Sequence, residues 1–388
     1  MRRADEKDDD HVTELVSRAE QALDELIKDI EALVRLESPS SDLDALRRSA
    51  DLVTEIGTRY LGVGPERIEI DGRPHLAWRL GDGPRRVIVL AHHDTVWPVG
   101  SWGDDPWSLV DGVIRGPGCF DMITGILQAM LGIRLLVEDG VDVDGLTLLV
   151  TADEEIGSPT SRALIESEAQ GCTAAFVLEA SGPGGALKTE RKGTSNYFVN
   201  VVGRAAHAGL EPEKGVNAGV ELAHQVLAIN TLGDPDLGTT VTPTVLSAGT
   251  TTNTVPAKAR ISVDVRVRTI DEQQRVDEDF GRLHAVLPGA VLEVEGGPNR
   301  PPLQASASQD LFARAQELAA AAGLDALESI AVGGASDGNF TAGVGIPTLD
   351  GLGAVGGGAH ADDEHVIVDR IPGRTALLAI LIKDQLSA

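Results

Sequence analysis

The run Val87-Ile88-Val89-Leu90-Ala91-His92-His93-Asp94 constrains the fold more than any other stretch of this chain. Four aliphatic residues in succession, three of them β-branched, predict a strand buried on both faces, which requires cover on both sides of its sheet. That strand runs directly into two imidazoles and a carboxylate. In open α/β sheets, ligands bind beyond the carboxyl ends of the strands. The device recurs twice: Leu146-Thr147-Leu148-Leu149-Val150-Thr151-Ala152 opens into Asp153-Glu154-Glu155, and Ala175-Phe176-Val177-Leu178 ends in Glu179. Three hydrophobic strands that finish in imidazole and carboxylate groups predict one convergent site.

The chain has 388 residues, more than one ordinary core holds, so two domains are expected. Ahead of the central strand, Val12, Leu15, Val16, Ala19, Leu23, Leu26, Ile27, Ile30, Leu33 and Val34 repeat at three-and-four spacing. This predicts an amphipathic helix over 11–36, stopped by Ser38-Pro39-Ser40-Ser41. A second helix is expected over 42–60, with strands at 67–70 and 76–80. Between 190 and 301 the order reads strand, helix, strand, strand, helix, strand, the ferredoxin-like pattern of an antiparallel sheet with helices on one face. Glycine- and proline-rich segments bracket it, as linkers do. The expected fold is therefore α/β: a catalytic domain with a mostly parallel sheet flanked by helices, formed by 1–189 and 302–388, carrying an inserted ferredoxin-like α+β domain over 190–301.

Charge and cysteine content narrow the function classes. With 33 basic and 60 acidic residues the net charge is −27, which argues against nucleic acid or an anionic membrane as partner. The charged N-terminus lacks the apolar core of a signal peptide, and no uninterrupted apolar run reaches transmembrane length. Only Cys119 and Cys172 occur, so a disulfide framework and a cysteine-rich zinc site are both excluded. A reducing, cytoplasmic location is expected.

Three motifs compete for the chemistry. Gly351-Leu352-Gly353-Ala354-Val355-Gly356 matches the dinucleotide fingerprint by letter, but glycine and charge follow it where a helix must begin. Gly334-Ala335-Ser336-Asp337-Gly338 spells a nucleophile elbow, with His360 and His365 downstream as candidate bases. This serine-hydrolase reading leaves His92, Asp94, Asp121, Glu154, Glu155 and Glu179 without a task. The third reading is a metal site of imidazole and carboxylate ligands, a donor set that suits zinc, with cobalt or manganese as alternatives. A carboxylate bridging two ions would make a two-metal hydrolase. Against it stands the ordinary role of such acids: Asp121, just ahead of a helix expected over 122–137, can simply cap that helix. Trp97, Trp102 and Trp107 lie in the intervening loop, as a packing cluster or an apolar wall beside the site.

Four ordered stretches carry a resemblance. Ala91-His92-His93-Asp94-Thr95-Val96, Gly116-Pro117-Gly118-Cys119-Phe120-Asp121-Met122, Thr151-Ala152-Asp153-Glu154-Glu155-Ile156-Gly157-Ser158 and Gly203-Arg204-Ala205-Ala206-His207-Ala208-Gly209 together resemble the M20 family of di-zinc metallopeptidases, in particular its glutamate carboxypeptidases. The resemblance implies that His92 and Glu179 hold one zinc ion and Glu155 and His360 the other, with Asp121 bridging them. It implies that Asp94 orients His92, that Glu154 is the general base, and that His207, in the inserted domain, reaches the partner's site in a homodimer to stabilise the oxyanion. The chain departs from the family at Ile123-Thr124, where a lysine usually follows Asp-Met.

The implied reaction cleaves an amide next to a free carboxylate, in a small peptide or an N-acyl amino acid. Arg266, Asn253 and Arg300 resemble the residues that hold that carboxylate, and a planar guanidinium suits a bidentate grip. A metal-binding dimeric paralogue without turnover is the non-enzyme alternative, and the presence of Glu154 beside the ligand set argues against it.

Overall fold

The computed structural model describes residues 14–387, which form two compact units. One comprises the chain up to Glu190 with Ala305–Val332 and the segment from Ser336 onward; the other comprises Arg191–Gln304 with Gly333–Ala335.

The first unit is built on a six-stranded sheet in the order Glu66–Ile70, Arg73–Leu80, Leu146–Thr151, Val87–His92, Ala174–Val177, Thr348–Leu349. The last four strands run parallel, and the first two add an antiparallel edge. All six residues of Val87–His92 and all six of Leu146–Thr151 are buried, as strands covered on both faces must be. Helices supply that cover. Leu26, Ile30, Leu33 and Val34 form the buried stripe of Leu23–Leu36, while residues 14–21 are also helical and Val12 lies outside the described residues. Leu43–Leu61 starts at Asp42, whose carboxylate accepts from the amides of Asp44 (2.9 Å) and Ala45 (3.0 Å). The parallel strands end on one side of the sheet, and there the chain places His92, Glu154, Glu155 and Glu179.

The helix expected over 122–137 begins later, at Thr124–Glu138, with Ile123 in the cap position and no side-chain cap, so Asp121 (φ −120°, ψ 89°) does not take the alternative role of capping it. Its side chain is thereby released for the site. Cys119–Glu138 is apolar on average over a length that could cross a membrane, but Asp121, Gln128 and Arg134 interrupt the run and 83% of its apolar window is buried inside the unit, as in the core of a globular domain.

A small antiparallel sheet escaped the sequence reading. It pairs Gly356–Gly357 with His365–Ile367, His365–Ile367 with Val113–Arg115, and Val113–Arg115 with Ser108–Val110. Strands of two or three residues carry too little periodicity to be seen. Their pairing sets the His360 loop beside the Asp121 turn.

The second unit has the ferredoxin-like order, its antiparallel strands lying Thr240–Ala248, Lys258–Val267, Gly193–Val202, Val291–Arg300 across the sheet. Alternation puts Tyr197, Val199 and Val201, and Ile261, Val263 and Val265, on the face covered by Ala218–Ile229 and Ile270–Gly281. Tyr197 stacks on Phe280 at 3.8 Å. On the opposite face the Arg260 guanidinium lies 4.5 Å over the Phe198 ring.

The glycine run at 351–356 has a packing role, which explains its composition without a dinucleotide. A Cβ on Gly353 would stand 2.1 Å from the Leu178 carbonyl oxygen. From the other side, the buried Arg374 guanidinium donates to the carbonyls of Gly353 (3.0 Å), Gly185 (2.9 Å) and Gly351. Burial lowers its pKa to about 10, so it still carries its charge at neutral pH. Arg374→Met retains an apolar stem but strands three carbonyls, and a loss of about 3–5 kcal/mol is expected. Urea denaturation checks this; a loss below about 1 kcal/mol would contradict it.

Candidate metal centre

Five of the predicted side chains meet at the strand ends of the first unit, in two trios of potential ligand atoms that share Asp121. His92, Asp121 and Glu179 form one trio, Asp121, Glu155 and His360 the other, each with its ligand atoms within 4.8 Å of one another. His92 Nε2 is 3.5 Å from Asp121 Oδ1 and 3.6 Å from Glu179 Oε1. His360 Nε2 is 3.5 Å from Asp121 Oδ2 and 3.1 Å from Glu155 Oε2. The two oxygens of Asp121 thus face two different imidazole and carboxylate pairs. Glu154 belongs to neither trio.

Local structure aims each group. His92 closes its strand, and its Nδ1 lies 2.9 Å from the Asp94 carbonyl oxygen, so the ring proton sits on Nδ1 and Nε2 faces the cluster. The Asp94 carboxylate is more distant, at 3.5 Å, and is mainly engaged elsewhere. It accepts from Ser40 Oγ (2.7 Å) and from the amides of Glu154 and Glu155 (both 3.2 Å). The expected partner of His92 therefore also clamps the short 3₁₀ turn Glu154–Ile156 that presents the acids. His360 adopts a left-handed backbone, φ 61°, sparsely populated by residues other than glycine and common at functional sites. His93 turns the other way, into the core. Its ring is bound by Ser49 Oγ (3.0 Å) and the Pro74 carbonyl (3.1 Å), and burial pushes its pKa down to about 4.

The electrostatics describe a hollow that demands positive charge. Burial pushes the Glu155 carboxyl up to about 7, against the opposing pull of His360. For Asp121 burial acts in the same direction, but His360 and His92 outweigh it and hold the carboxyl well below its usual range, with Lys188 adding to them. Lys188 thus contributes positive charge near Asp121, where Ile123-Thr124 replaces the family's lysine. Asp121 and Glu155 in turn raise His360 to about 10, and burial of His92 is outweighed by Asp121, Asp94 and Glu179. His92 Nε2, Asp121 Oδ1 and Glu155 Oε1 are buried without a hydrogen-bond partner. Unpartnered donors of nitrogen and carboxylate type around a shared Asp fit divalent ions of the zinc class.

The sequence matches the profile of the peptidase family M20/M25/M40 over residues 88–384, most of the chain. The chain belongs to this family. It is 30% identical over 370 residues to carboxypeptidase G2 from a Pseudomonas species, spanning 92% of this chain and 89% of that protein. It is 28% identical over 352 residues to a succinyl-diaminopimelate desuccinylase from Cereibacter sphaeroides, spanning 82% and 88%. Its fold is similar to that of an M20 family metallo-carboxypeptidase from Sulfolobus solfataricus, with a TM-score of 0.74 at 17% identity over 94% of this chain and 100% of that one. Aminopeptidase PepT from Bacillus cereus shares the fold at a TM-score of 0.71 and 23% identity, over 94% and 99%. The protein is thus an M20 metallopeptidase or amidohydrolase, and M20 metallopeptidases are metal-dependent.

The other predicted residues lie in the second unit. His207 is exposed, and its Nδ1 accepts from the amides of Gly209 and Leu210, both at 3.1 Å, which leaves the neutral ring's proton on Nε2. Asn253 is its neighbour: Ala208 N donates to the Asn253 carbonyl at 2.9 Å. Arg266 is half-buried and already engaged, its Nε 2.9 Å and Nη2 3.0 Å from the two oxygens of Asp264. Arg300 is buried at its strand end. Ser336 is contradicted as a nucleophile. It is fully buried in the first unit, and its Oγ donates to Asp350 Oδ2 at 2.5 Å, with no imidazole on it.

Sequence reasoning missed Glu364. Its buried carboxylate accepts from Trp97 Nε1 (2.8 Å) and from the amides of Gly118 (3.0 Å), Phe120 (2.9 Å) and Asp121 (3.0 Å). Within Asp362-Asp363-Glu364 it reads as one more solvated acid.

The surrounding acids hold the His92 imidazole above its ordinary range and raise His360 to about 10, whereas a ligand imidazole must be neutral. Zinc uptake is therefore expected to release protons, and apparent affinity to rise with pH while His360 retains its raised pKa, towards about 10. Titration of stripped protein in weakly buffered solution measures both. Affinity independent of pH, with no proton release, would contradict the assignment.

Proposed function

We propose that the protein hydrolyses an amide bond adjacent to a free carboxylate, in a small peptide or an N-acyl amino acid, as a carboxypeptidase-like member of its family with two zinc ions per chain. The observation that carries this reading is the sharing of Asp121 between the two trios. His92 and Glu179 would hold one ion, Glu155 and His360 the other, and Asp121 both; cobalt or manganese would suit the same donors. Such ions supply Lewis acidity, polarising a carbonyl and making water more acidic.

The protein's own groups supply the rest. Glu154, outside both trios and held at its amide by Asp94, takes the proton of the attacking water and passes it to the leaving amine. His207, with its proton on Nε2, donates to the oxyanion from the other copy of a homodimer. Arg266, Asn253 and Arg300 bind the substrate's carboxylate. For Arg266 this requires sharing with or displacing Asp264, which already accepts from its Nε and Nη2. The names of two relatives, a carboxypeptidase and a desuccinylase, support amide hydrolysis of this kind.

The insertion, drawn at 190–301 from sequence, is the dimerisation element in this reading. Its helix Ala218–Ile229 exposes Leu227 and Val220. A cytoplasmic location accords with two free, buried cysteines. The serine-hydrolase alternative loses its support with the burial of Ser336, and the metal-binding paralogue without turnover uses the trios but leaves Glu154 without a task.

Two measurements test the reading. Glu154→Gln should bind zinc like the parent and lose about 10²- to 10⁴-fold in kcat; loss of metal would show that Glu154 is a ligand. Amidating the C-terminal carboxylate of a good substrate should cost about 2–5 kcal/mol in kcat/KM, and equal cleavage of acid and amide would overturn the carboxylate requirement.

A further inference from the structure

We propose that Glu364 is the positioning residue of this centre: its carboxylate locks the turn carrying Asp121 to the loop carrying His360, and so fixes Asp121 between the two imidazoles. The inference rests on the two-ion reading given above and concerns a residue that reading does not use.

Glu364 is fully buried, and its four donors come from two segments remote in sequence. Oε1 takes the consecutive amides of Phe120 and Asp121, at 2.9 and 3.0 Å. Oε2 takes Gly118 N at 3.0 Å and the Trp97 indole at 2.8 Å. Three amides converge on one carboxylate because the chain turns sharply at Gly118, φ 73°, where a Cβ would lie 2.5 Å from Thr95 Cγ2. The carboxylate sits where two paired strands part: His365 opposes Arg115 in the small sheet, with Glu364 just before the one and the Gly118 turn just after the other. Its own amide donates to the Ala361 carbonyl at 2.9 Å, closing the turn that follows His360.

A buried anion is costly unless it is well satisfied, and a neutral plug would fill the space without that cost. What a carboxylate adds is acceptance of four hydrogen bonds by two oxygens. Asp121 needs such an anchor. Its backbone is not helical, so no ladder of helical hydrogen bonds sets the direction of its side chain. The Asp121 amide is itself one of the four donors, and His360 is four residues from the acceptor. Small displacements at Glu364 therefore move the shared carboxylate relative to both imidazoles.

The test compares wild type, Glu364→Gln, Glu364→Asp and Leu378→Ala, the last truncating a fully buried residue of the helix Ile371–Ser387. Metal-stripped proteins are titrated with zinc against a competing chelator, and kcat, KM and Tm are measured alongside. Zinc affinity should fall about 10- to 100-fold in both Glu364 variants, as for other groups that orient metal ligands. Their kcat should fall while KM stays within about two-fold, since no substrate contact is lost. Leu378→Ala should lose Tm yet keep zinc affinity. Should Glu364→Gln fail to fold, Glu364→Asp decides, because it keeps the charge and shortens its reach by one methylene. Wild-type zinc affinity in the Glu364 variants, or an equal loss of affinity in Leu378→Ala, overturns the inference while the two-ion reading stands. A wild-type protein that binds no zinc overturns that reading, and this inference with it.

Discussion

The mutual repulsion of Asp121, Glu155 and Glu179 is the constraint on which the rest of this structure depends. Two like charges about 5 Å apart repel by about 3 kcal/mol at an effective dielectric of about 20, more than an ordinary hydrogen bond returns. Three carboxylates around one hollow call for compensating positive charge: they hold His92 and His360 above the ordinary imidazole range, while burial pushes Glu155 up to about 7. A set of acids held close by buried strand ends is a poor way to stabilise a fold. It is an effective way to bind divalent ions, which explains why the groups remain there.

Rigid elements keep the carboxylates from relaxing apart. The strands Val87–His92, Leu146–Thr151 and Ala174–Val177 are wholly buried, so their ends have little freedom. Beyond those ends the chain needs other anchors. Asp94 clamps the amides of Glu154 and Glu155, and Glu364 gathers the amides of the Gly118 turn. The turns that bring Glu155 and Asp121 are thus tied down by acids that are in neither trio. Two buried acids of a chain with a net charge of −27 serve in this way.

The parallel strands and their functional ends were legible because burial on both faces writes itself as an unbroken aliphatic run. The ferredoxin-like order was legible because alternation and helical stripes follow one another clearly between 190 and 301. Other features were not written locally. The role of Asp121 depended on an irregular turn that resembles a helix start in sequence, and the small sheet depended on strands as short as Gly356–Gly357. Glu364 was hidden among neighbouring acids, since burial of one member of a charged run has no sequence signal. The engagement of Arg266 by Asp264 was readable in principle, because residues two apart on a strand share a face. The serine elbow failed for the opposite reason: its letters are local, whereas the burial of Ser336 against Asp350 is set by packing.

The central claim is that one carboxylate serves two ions, and Asp121→Asn tests it most directly by comparison with His92→Ala and His360→Ala. Zinc stoichiometry after equilibrium dialysis, with folding checked by circular dichroism, is the readout. A shared Asp121 predicts that Asp121→Asn weakens both ions together, while each histidine variant loses chiefly one and retains the other. A folded Asp121→Asn protein that still binds two zinc ions with wild-type affinity would contradict the account.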